Sequence, residues 1–479
     1  MNSPIDSLIQ KNADQRLKII VVGDTLLDEY NYGSVKRVCP EFPVPVLLSP
    51  IGVEPVRLPG GAANVVYQFR HWNVDATLVG FIDGEARDVY QSAGLNLKYA
   101  IHLPCGSVPV KRRFYAGDHP LLRWDTESSD YGCPRLDYMR ELAFDAFKRA
   151  FEKGADVVIL SDYDKGLFDD TLIANIIHHC NENNVPTIVD PKLQHSNRWA
   201  ACTVFKPNAA EAAALSKHTG WKQQADFFKR SVGCDTVIIT QGGDGVVGLH
   251  RDKYFEYRPN AREKNVQSVI GAGDSFIAVL AMCGGHRIGV QATAMLAFEA
   301  GAEYVRAKHN RPITPWELKR RLDPDGAKIL TPEEFNSVRK NCFPDARIVF
   351  TNGCFDAGLT KGHVQCLRFA RQQGDYLVVG LNTDSSIARL KGEGRPVLPL
   401  EERKAIISSM GSVDYVLCFD EDTPYELIKS IVPSVIVKGG DYTPDTVSGN
   451  DIAEVVICPT IKCVSTTEKI NATKKTRDI

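Results

Sequence analysis

Short apolar runs that close on Gly, Asp or Thr recur along the chain, at 17–24 (LKIIVVGD), 155–162 (ADVVILSD), 185–190 (VPTIVD) and 234–240 (CDTVIIT). Runs of this length without apolar/polar alternation predict strands buried on both faces, as in a mainly parallel sheet. The stretches 170–183 and 208–215 between them carry helical spacing, so the pattern predicts a layered α/β fold whose ligands gather beyond the carboxyl ends of the strands. Prolines spaced through 37–46 (RVCPEFPVPV) rule out a helix there and predict extended or edge structure. Turn residues at 322–327 (LDPDGA) and a short capped helix at 331–339 mark a boundary. The strand pattern then restarts at 347–356 (RIVFTNGCFD), 375–384 (DYLVVGLNTD) and 435–442 (VIVKGGDY). A chain of 479 residues exceeds what one hydrophobic core usually supports. The pattern therefore divides it into a domain over 1–325, a linker over 326–345 and a second α/β domain over 346–479.

The polar ends of these runs supply the candidate chemistry. At 269–276 (VIGAGDSF) small residues lead into an apolar helical stretch, which places the backbone N–H groups of Gly271, Ala272 and Gly273 at a helix N-terminus. Such groups hold a phosphoryl group as negative charge builds on it during transfer, and Asp274 beside them suits a base taking the proton of an attacking hydroxyl. A glycine turn capped by Asp is the plainer alternative. Asp24 and Asp28 after the first run suit paired acceptors for sugar hydroxyls, or a cap and a solvated acid. In 58–66 (LPGGAANVV) Gly60 and Gly61 let a polyol lie against backbone, with Asn64 donating and accepting. Asn208 and Glu211, three apart at a helix start, suit phosphate and Mg²⁺-bound water, or an ordinary capping box. Thr240, Gly242 and Gly245 form a glycine-rich turn suited to a nucleotide. Lys111, Arg112, Arg113 and Arg123 form a basic cluster that fits a sugar phosphate or a solvated strand face. In the second half His363 stands at a helix start beside Thr360 and Gly362, where it suits phosphate binding and transition-state stabilisation in the absence of a structural role. Lys391, Arg395, Lys438 and the basic members of 401–404 follow on loops at strand ends, suited to a triphosphate and a sugar phosphate.

Charge is balanced, with 57 basic against 59 acidic residues, which gives no reason to expect nucleic acid or an anionic membrane as partner. The N-terminal stretch lacks a basic region followed by an apolar core, and no apolar run approaches membrane-spanning length, so the reading is cytoplasmic. Thirteen scattered cysteines without a Cys-x-x-Cys pair read as free thiols, not as a zinc site or a disulfide framework, and no metal-ligating residues are assigned.

The order Gly23-Asp24, Asp28, then 60–64 (GGAAN), then Asn208 and Glu211, then 271–274 (GAGD) resembles the ribokinase-like sugar kinases over about residues 15–320. Within that family 37–46 looks most like the kinases of heptose 7-phosphate. The resemblance implies that Asp24, Asp28 and Asn64 contact the sugar, that Asn208, Glu211 and 240–245 face Mg-ATP, and that Asp274 is the base. Ser268 and Ile270 stand where these kinases usually carry Asp and Thr. Over about residues 345–475 the chain resembles the cytidylyltransferase-like nucleotidyltransferases, through Asn-Gly-Cys-Phe-Asp at 352–356 and Thr-Lys-Gly-His at 360–363. The spacer 357–359 is one residue longer than usual, and Thr360 replaces a common His. The stretches 389–397, 438–442 and 465–467 look like the heptose 1-phosphate adenylyltransferase branch. This second resemblance implies Gly353, Phe355, Thr360, Gly362, His363, Ser465, Thr466 and Thr467 at the nucleotide, with Lys391, Arg395 and Lys438 near phosphates. Together the two domains resemble the bifunctional enzymes of ADP-heptose synthesis for the lipopolysaccharide core. They imply a ribokinase-like three-layer α/β domain followed by a Rossmann-like nucleotidyltransferase domain, Mg²⁺ and ATP, a sugar-phosphate substrate and a homodimer. Another sugar phosphate, CTP as donor, or one inactive domain that only binds ligand stand as the alternatives.

Overall fold

The computed structural model describes residues 3–127, 130–192, 196–342, 344–392, 394–440 and 442–459. The chain divides into two compact units, Met1–Leu318 and Lys319–Ile479. The first holds an eight-stranded sheet in the order Lys253–Tyr257, Val246–His250, Thr236–Thr240, Val204–Phe205, Thr187–Asp190, Val157–Ser161, Leu17–Gly23 and Val74–Val79. The six strands from Val74–Val79 to Thr236–Thr240 run parallel, and the other two return antiparallel as a hairpin. The apolar runs are buried on both faces as their lack of alternation predicts; all of Val157–Ser161 is buried. The helix Ala272–Gly285 is buried throughout 274–283 and lies against Leu17–Gly23 and Val157–Ser161, which fixes its N-terminus at the carboxyl ends of the strands.

A second, smaller sheet carries the basic cluster. The strand Thr25–Val38 pairs with Pro45–Leu48, Val56–Gly61 and Val110–Ala116, and the last of these pairs with His119–Thr126. The proline-spaced stretch 37–46 forms no helix: it runs from the end of Thr25–Val38 through irregular backbone at 39–44 into the edge strand Pro45–Leu48. Parallel pairing places Asp28 opposite Lys111 and Tyr30 opposite Arg113. Acidic and basic strands thereby become neighbours, which only the register decides.

The second unit is built on a six-stranded parallel sheet in the order Ile329–Leu330, Tyr415–Phe419, Tyr376–Asn382, Ile348–Gly353, Val435–Lys438 and Glu454–Ile457. The stretch 326–345, expected as a linker, is folded into this unit. Ile329–Leu330 pairs with Val416 and Leu417, and the helix Pro332–Cys342 packs against Tyr425–Ile431. Phe335 from that helix is fully buried, edge-on to Tyr415 at 5.3 Å. A hydrophobic face needs a partner, and the turn residues that suggested a connector only break one helix from the next.

Arg403, expected among loop cations at the ligand, is instead a buried brace. Its guanidinium donates to the carbonyls of Asn382 at 2.7 Å, Cys354 at 3.1 Å and Leu398 at 3.0 Å, and to Asp384 Oδ1 at 2.6 Å. It ties two strand ends to the helix Leu400–Ser408. Arg403→Met leaves three carbonyls and a carboxylate without their donor, a loss of about 3 kcal/mol. Urea denaturation followed by hydrogen exchange and mass spectrometry of peptides from each unit is expected to show the second unit unfolding at lower denaturant in this variant, with the first unit unchanged.

Candidate active sites

In the first unit the site is built around the N-terminus of Ala272–Gly285. Gly271 caps this helix at φ 81°, and a Cβ there would stand 2.4 Å from the Tyr304 hydroxyl and 2.8 Å from Asn64 Nδ2, so only glycine fits. Gly273 faces open space, and its N–H lies in the first turn, where no intrahelical acceptor exists. Asp274 is 5% exposed. Its Oδ2 accepts from Asn64 Nδ2 at 2.6 Å and its Oδ1 accepts from the Tyr163 hydroxyl. Burial pushes its carboxyl up to about 6; Tyr163 and Asn64 pull the other way, and the charges of Asp190 and Asp28 add to the rise. Tyr163 is a site residue that the sequence reading missed. It follows the run 155–162 by one position, and the aromatic ring lies between the ammonium groups of Lys111 and Lys192, at 5.6 Å and 5.8 Å.

The other expected residues gather here in other roles. Asp24, expected at the sugar, has its carboxylate filled by protein: the Tyr131 hydroxyl donates at 2.7 Å, and the amides of Leu167, Tyr163 and Lys165 at 3.0, 3.0 and 3.2 Å. It shapes the loop that presents Tyr163. Asn64 is likewise committed, to Asp274 on one side and to Gln68 at 3.1 Å on the other. Gly60 and Gly61 are buried, with Gly61 at φ 60° and a Cβ on Gly60 only 2.7 Å from Asp28. Asp28 is held by Arg113 and Asn310, both at 2.6 Å. Asn208 and Glu211 form the capping box, each side chain 2.9 Å from the other's amide, and Lys192 bonds Glu211 at 2.7 Å. Asn208 lies beside Thr240. Gly242 and Gly245 adopt φ 56° and 113° in the turn that follows, and Gln241, Gly243, Asp244, Arg258 and Arg262 line a cleft of about 540 Å³ with Ala209. Of the basic cluster, Arg113 is spent on Asp28, Arg112 on Glu29 at 3.3 Å and Arg123 on Asp125 at 2.8 Å. Lys111 alone of the four makes no ion pair among the described residues, and burial holds it below the ordinary lysine value.

In the second unit Gly353, Phe355, Thr360, Gly362, His363, Lys391 and Lys438 line one cavity of about 690 Å³. Thr360 caps the helix Lys361–Arg371 through a reciprocal box: its Oγ1 accepts from the His363 amide at 3.3 Å, and His363 Nδ1 accepts from the Thr360 amide at 3.1 Å. With Nδ1 an acceptor, the neutral ring carries its proton on Nε2. Burial lowers the pKa of His363, and the Phe355 ring stands edge-on at 5.1 Å. Lys391 and Arg395 converge on Asp356, at 3.3 Å and 2.6 Å. Asp356, 2% exposed, is the second residue that the sequence reading missed, although it closes the quoted motif 352–356. Burial pushes Lys438 down to about 8. Ser465, Thr466 and Thr467 lie outside the described residues.

Residues 53–313 match the pfkB family of carbohydrate kinases, and 350–479 match the cytidylyltransferase-like family. A protein of Hyphomonas neptunium named Bifunctional protein HldE is 33% identical over 489 residues, covering 98% of this chain and 98% of that protein. Its namesake in Azorhizobium caulinodans is 36% identical over 459 residues, with 91% and 93% covered. Among solved structures, the tetrameric inhibited form of Escherichia coli phosphofructokinase-2 aligns with a TM-score of 0.50 at 15% identity, over 64% of this chain and 98% of that one. A putative ribokinase from Agrobacterium tumefaciens aligns with a TM-score of 0.50 at 14% identity, over 65% and 98%. These structural likenesses establish a ribokinase-like fold.

A base must be ionised to take a proton, so with Asp274 in that role phosphoryl transfer by the first unit is expected to fall as pH drops through about 6. Tyr163→Phe removes a donor that favours the ionised form, and is expected to move that limb to higher pH in a kcat/KM profile. The sign for folding is opposite to that of an ordinary ion-paired acid. A carboxyl raised from 3.8 to about 6 contributes stability below its unfolded value, and loses it as pH rises through about 6. In the second unit, loss of the Lys438 charge as pH rises through about 8 is expected to raise the KM for nucleotide, and Lys438→Gln to abolish that dependence.

Proposed function

The chain belongs to the family of bifunctional HldE proteins, and from that membership we propose that it builds an ADP-activated heptose in two ATP-dependent steps. It is a carbohydrate kinase joined to a nucleotidyltransferase. The first unit phosphorylates the anomeric hydroxyl of a heptose 7-phosphate, and the second transfers the adenylyl group of ATP to a heptose 1-phosphate with release of pyrophosphate. A phosphatase acting between the two removes the 7-phosphate. The observation that carries this reading is the match over 98% of both chains, which keeps the two catalytic units together and in one order.

In the first step the donor is Mg-ATP. The sugar hydroxyl attacks the γ-phosphorus, the bond to the β-phosphate oxygen breaks, and Asp274 takes the hydroxyl proton. Tyr163 and Asn64 hold the carboxylate in place, while the N–H groups at the start of Ala272–Gly285 face the charge that grows on the phosphoryl oxygens. Lys111, unspent among the basic residues, suits the phosphate of the sugar. In the second step the sugar phosphate attacks the α-phosphorus and pyrophosphate leaves. The Nε2–H of His363 donates to the transferring phosphate, and Lys391, Arg395 and Lys438 balance the triphosphate charge. Mg²⁺ travels with the nucleotide in both steps.

The protein works in the cytoplasm as a homodimer. Free thiols at the buried Cys180, Cys202, Cys234 and Cys283 support a reducing compartment, and exposed Val38, Leu122 and Trp124 on the smaller sheet, with Phe42 beside it, support self-association. No helix among the described residues is long and apolar enough to cross a membrane.

³¹P NMR of the purified protein with Mg-ATP and D-glycero-D-manno-heptose 7-phosphate tests the reading. A new anomeric phosphate signal is expected, lost in Asp274→Ala and kept in His363→Ala. Addition of a 7-phosphatase is then expected to give a diphosphate diester and pyrophosphate only where His363 is present. ATP binding with neither signal would remove the heptose assignment.

A further inference from the structure

Cys105 and Cys133 stand on either side of the hairpin formed by Val110–Ala116 and His119–Thr126, the element that carries Lys111 and Arg113. Their Sγ atoms are 3.7 Å apart. Cys105 is exposed and Cys133 is 2% exposed, so one thiol meets solvent and the other is sheltered behind it. The backbones beside them already touch: the Ser107 amide donates to the Tyr131 carbonyl at 3.1 Å, and a Cβ on Gly106 would stand 1.9 Å from that same oxygen. Gly106 and Gly132, each next to one of the cysteines, both adopt positive φ, at 80° and 63°. The sulfurs are thus in contact, beyond the bonding distance of about 2.05 Å, on segments that the backbone already holds together.

The segment behind Cys133 leads into the kinase site. Tyr131, two residues earlier, is buried, and its hydroxyl donates to Asp24, the carboxylate that shapes the 163–167 loop. Tyr163 on that loop bonds Asp274. On the other side the Val108 amide donates to Asp83 Oδ2 at 2.9 Å, anchoring the start of the hairpin. A covalent link between 105 and 133 therefore closes the hairpin at its base and tightens the connection to the base that accepts the proton.

We propose that Cys105 and Cys133 form a reversible disulfide that clasps the base of this hairpin and makes sugar phosphorylation sensitive to thiol redox state. The oxidant is a low-molecular-weight disulfide. The Cys105 thiolate attacks one of its sulfurs and expels one thiolate, giving a mixed disulfide. The Cys133 thiolate then attacks the Cys105 sulfur and expels the second. Two electrons pass to the oxidant, and the two protons lost by the cysteines end on the two small thiols released. In a reducing cell such a bond is transient, as suits a sensor more than a structural staple. Before substrate arrives the clasp restrains the strand Val110–Ala116, whose Lys111 makes no ion pair among the described residues, so the oxidised enzyme binds sugar phosphate more tightly.

The test treats the full-length protein with oxidised glutathione and then with dithiothreitol. Mass spectrometry of a non-reducing digest is expected to show a peptide pair joined through Cys105 and Cys133, with a higher thermal unfolding midpoint for the first unit. The KM for sugar phosphate is expected to fall about fivefold, and dithiothreitol to reverse all three changes. Cys105→Ser, a replacement at an exposed position, is expected to show none of them, and Cys133→Ala serves as the second variant. Glutathione found on Cys105 without the cross-link overturns the proposal, as does a cross-link that leaves KM unchanged. The peptide linkage and the unfolding midpoint do not depend on which sugar is phosphorylated, so their outcome stands apart from that of the heptose assignment.

Discussion

A buried carboxylate that two donors hold is the interaction on which the first unit's strand-end site depends. Asp274 lies almost wholly out of water, and its charged form survives there because Asn64 and Tyr163 donate to both its oxygens. Each donor needs its own support. Asn64 is held by Gln68, and Tyr163 rides on a loop whose amides converge on Asp24. Gly271 must be glycine because Asn64 and the Tyr304 hydroxyl occupy the space a side chain would take. Acids and amides that look interchangeable as sugar contacts are therefore ordered by their distance from one buried carboxylate.

The second unit solves a related problem with opposite signs. Its cavity gathers cations close to one another, which must be kept from repelling. Asp356, buried between Lys391 and Arg395, supplies the counter-charge. His363 is kept neutral by burial and oriented by the Thr360 amide, so it offers a donor without adding another positive charge. Thr360 in place of a second histidine fits this arrangement, since its hydroxyl caps the helix without adding a further titratable ring.

Both units rest on the same feature of parallel α/β sheets. Strands buried on both faces end together, and their polar terminal residues meet at one edge. This explains why so much of the sites was legible. The runs closing at Asp24, Asp162, Asp190 and Thr240 mark the kinase edge, and those closing at Gly353, Asn382 and Lys438 mark the transferase edge. Tyr163 and Asp356 escaped notice although each sits within or beside a quoted run, because a tyrosine or an acid at a strand end carries no sign of which neighbour it will meet. The segment 326–345 was misjudged for a related reason. Turn residues signal where a helix breaks, but they do not say whether the next piece finds a sheet to join, as Ile329–Leu330 does beside Tyr415–Phe419.

The amino-acid sequence by itself determined the two α/β units, their order, and the helix-start loops at Gly271 and Thr360 that carry Asp274 and His363. These follow from local period, turn chemistry and motif spacing, all carried by residues close together in the chain. Only the tertiary structure decided which polar groups are spent on one another. Asn64 lies 210 residues from Asp274, and Arg113 lies 85 residues from Asp28, yet both pairs bond at 2.6 Å. Strand register and helix packing set those meetings, and whether a buried charge is free for a substrate or already paired depends on three-dimensional neighbours that no local pattern specifies.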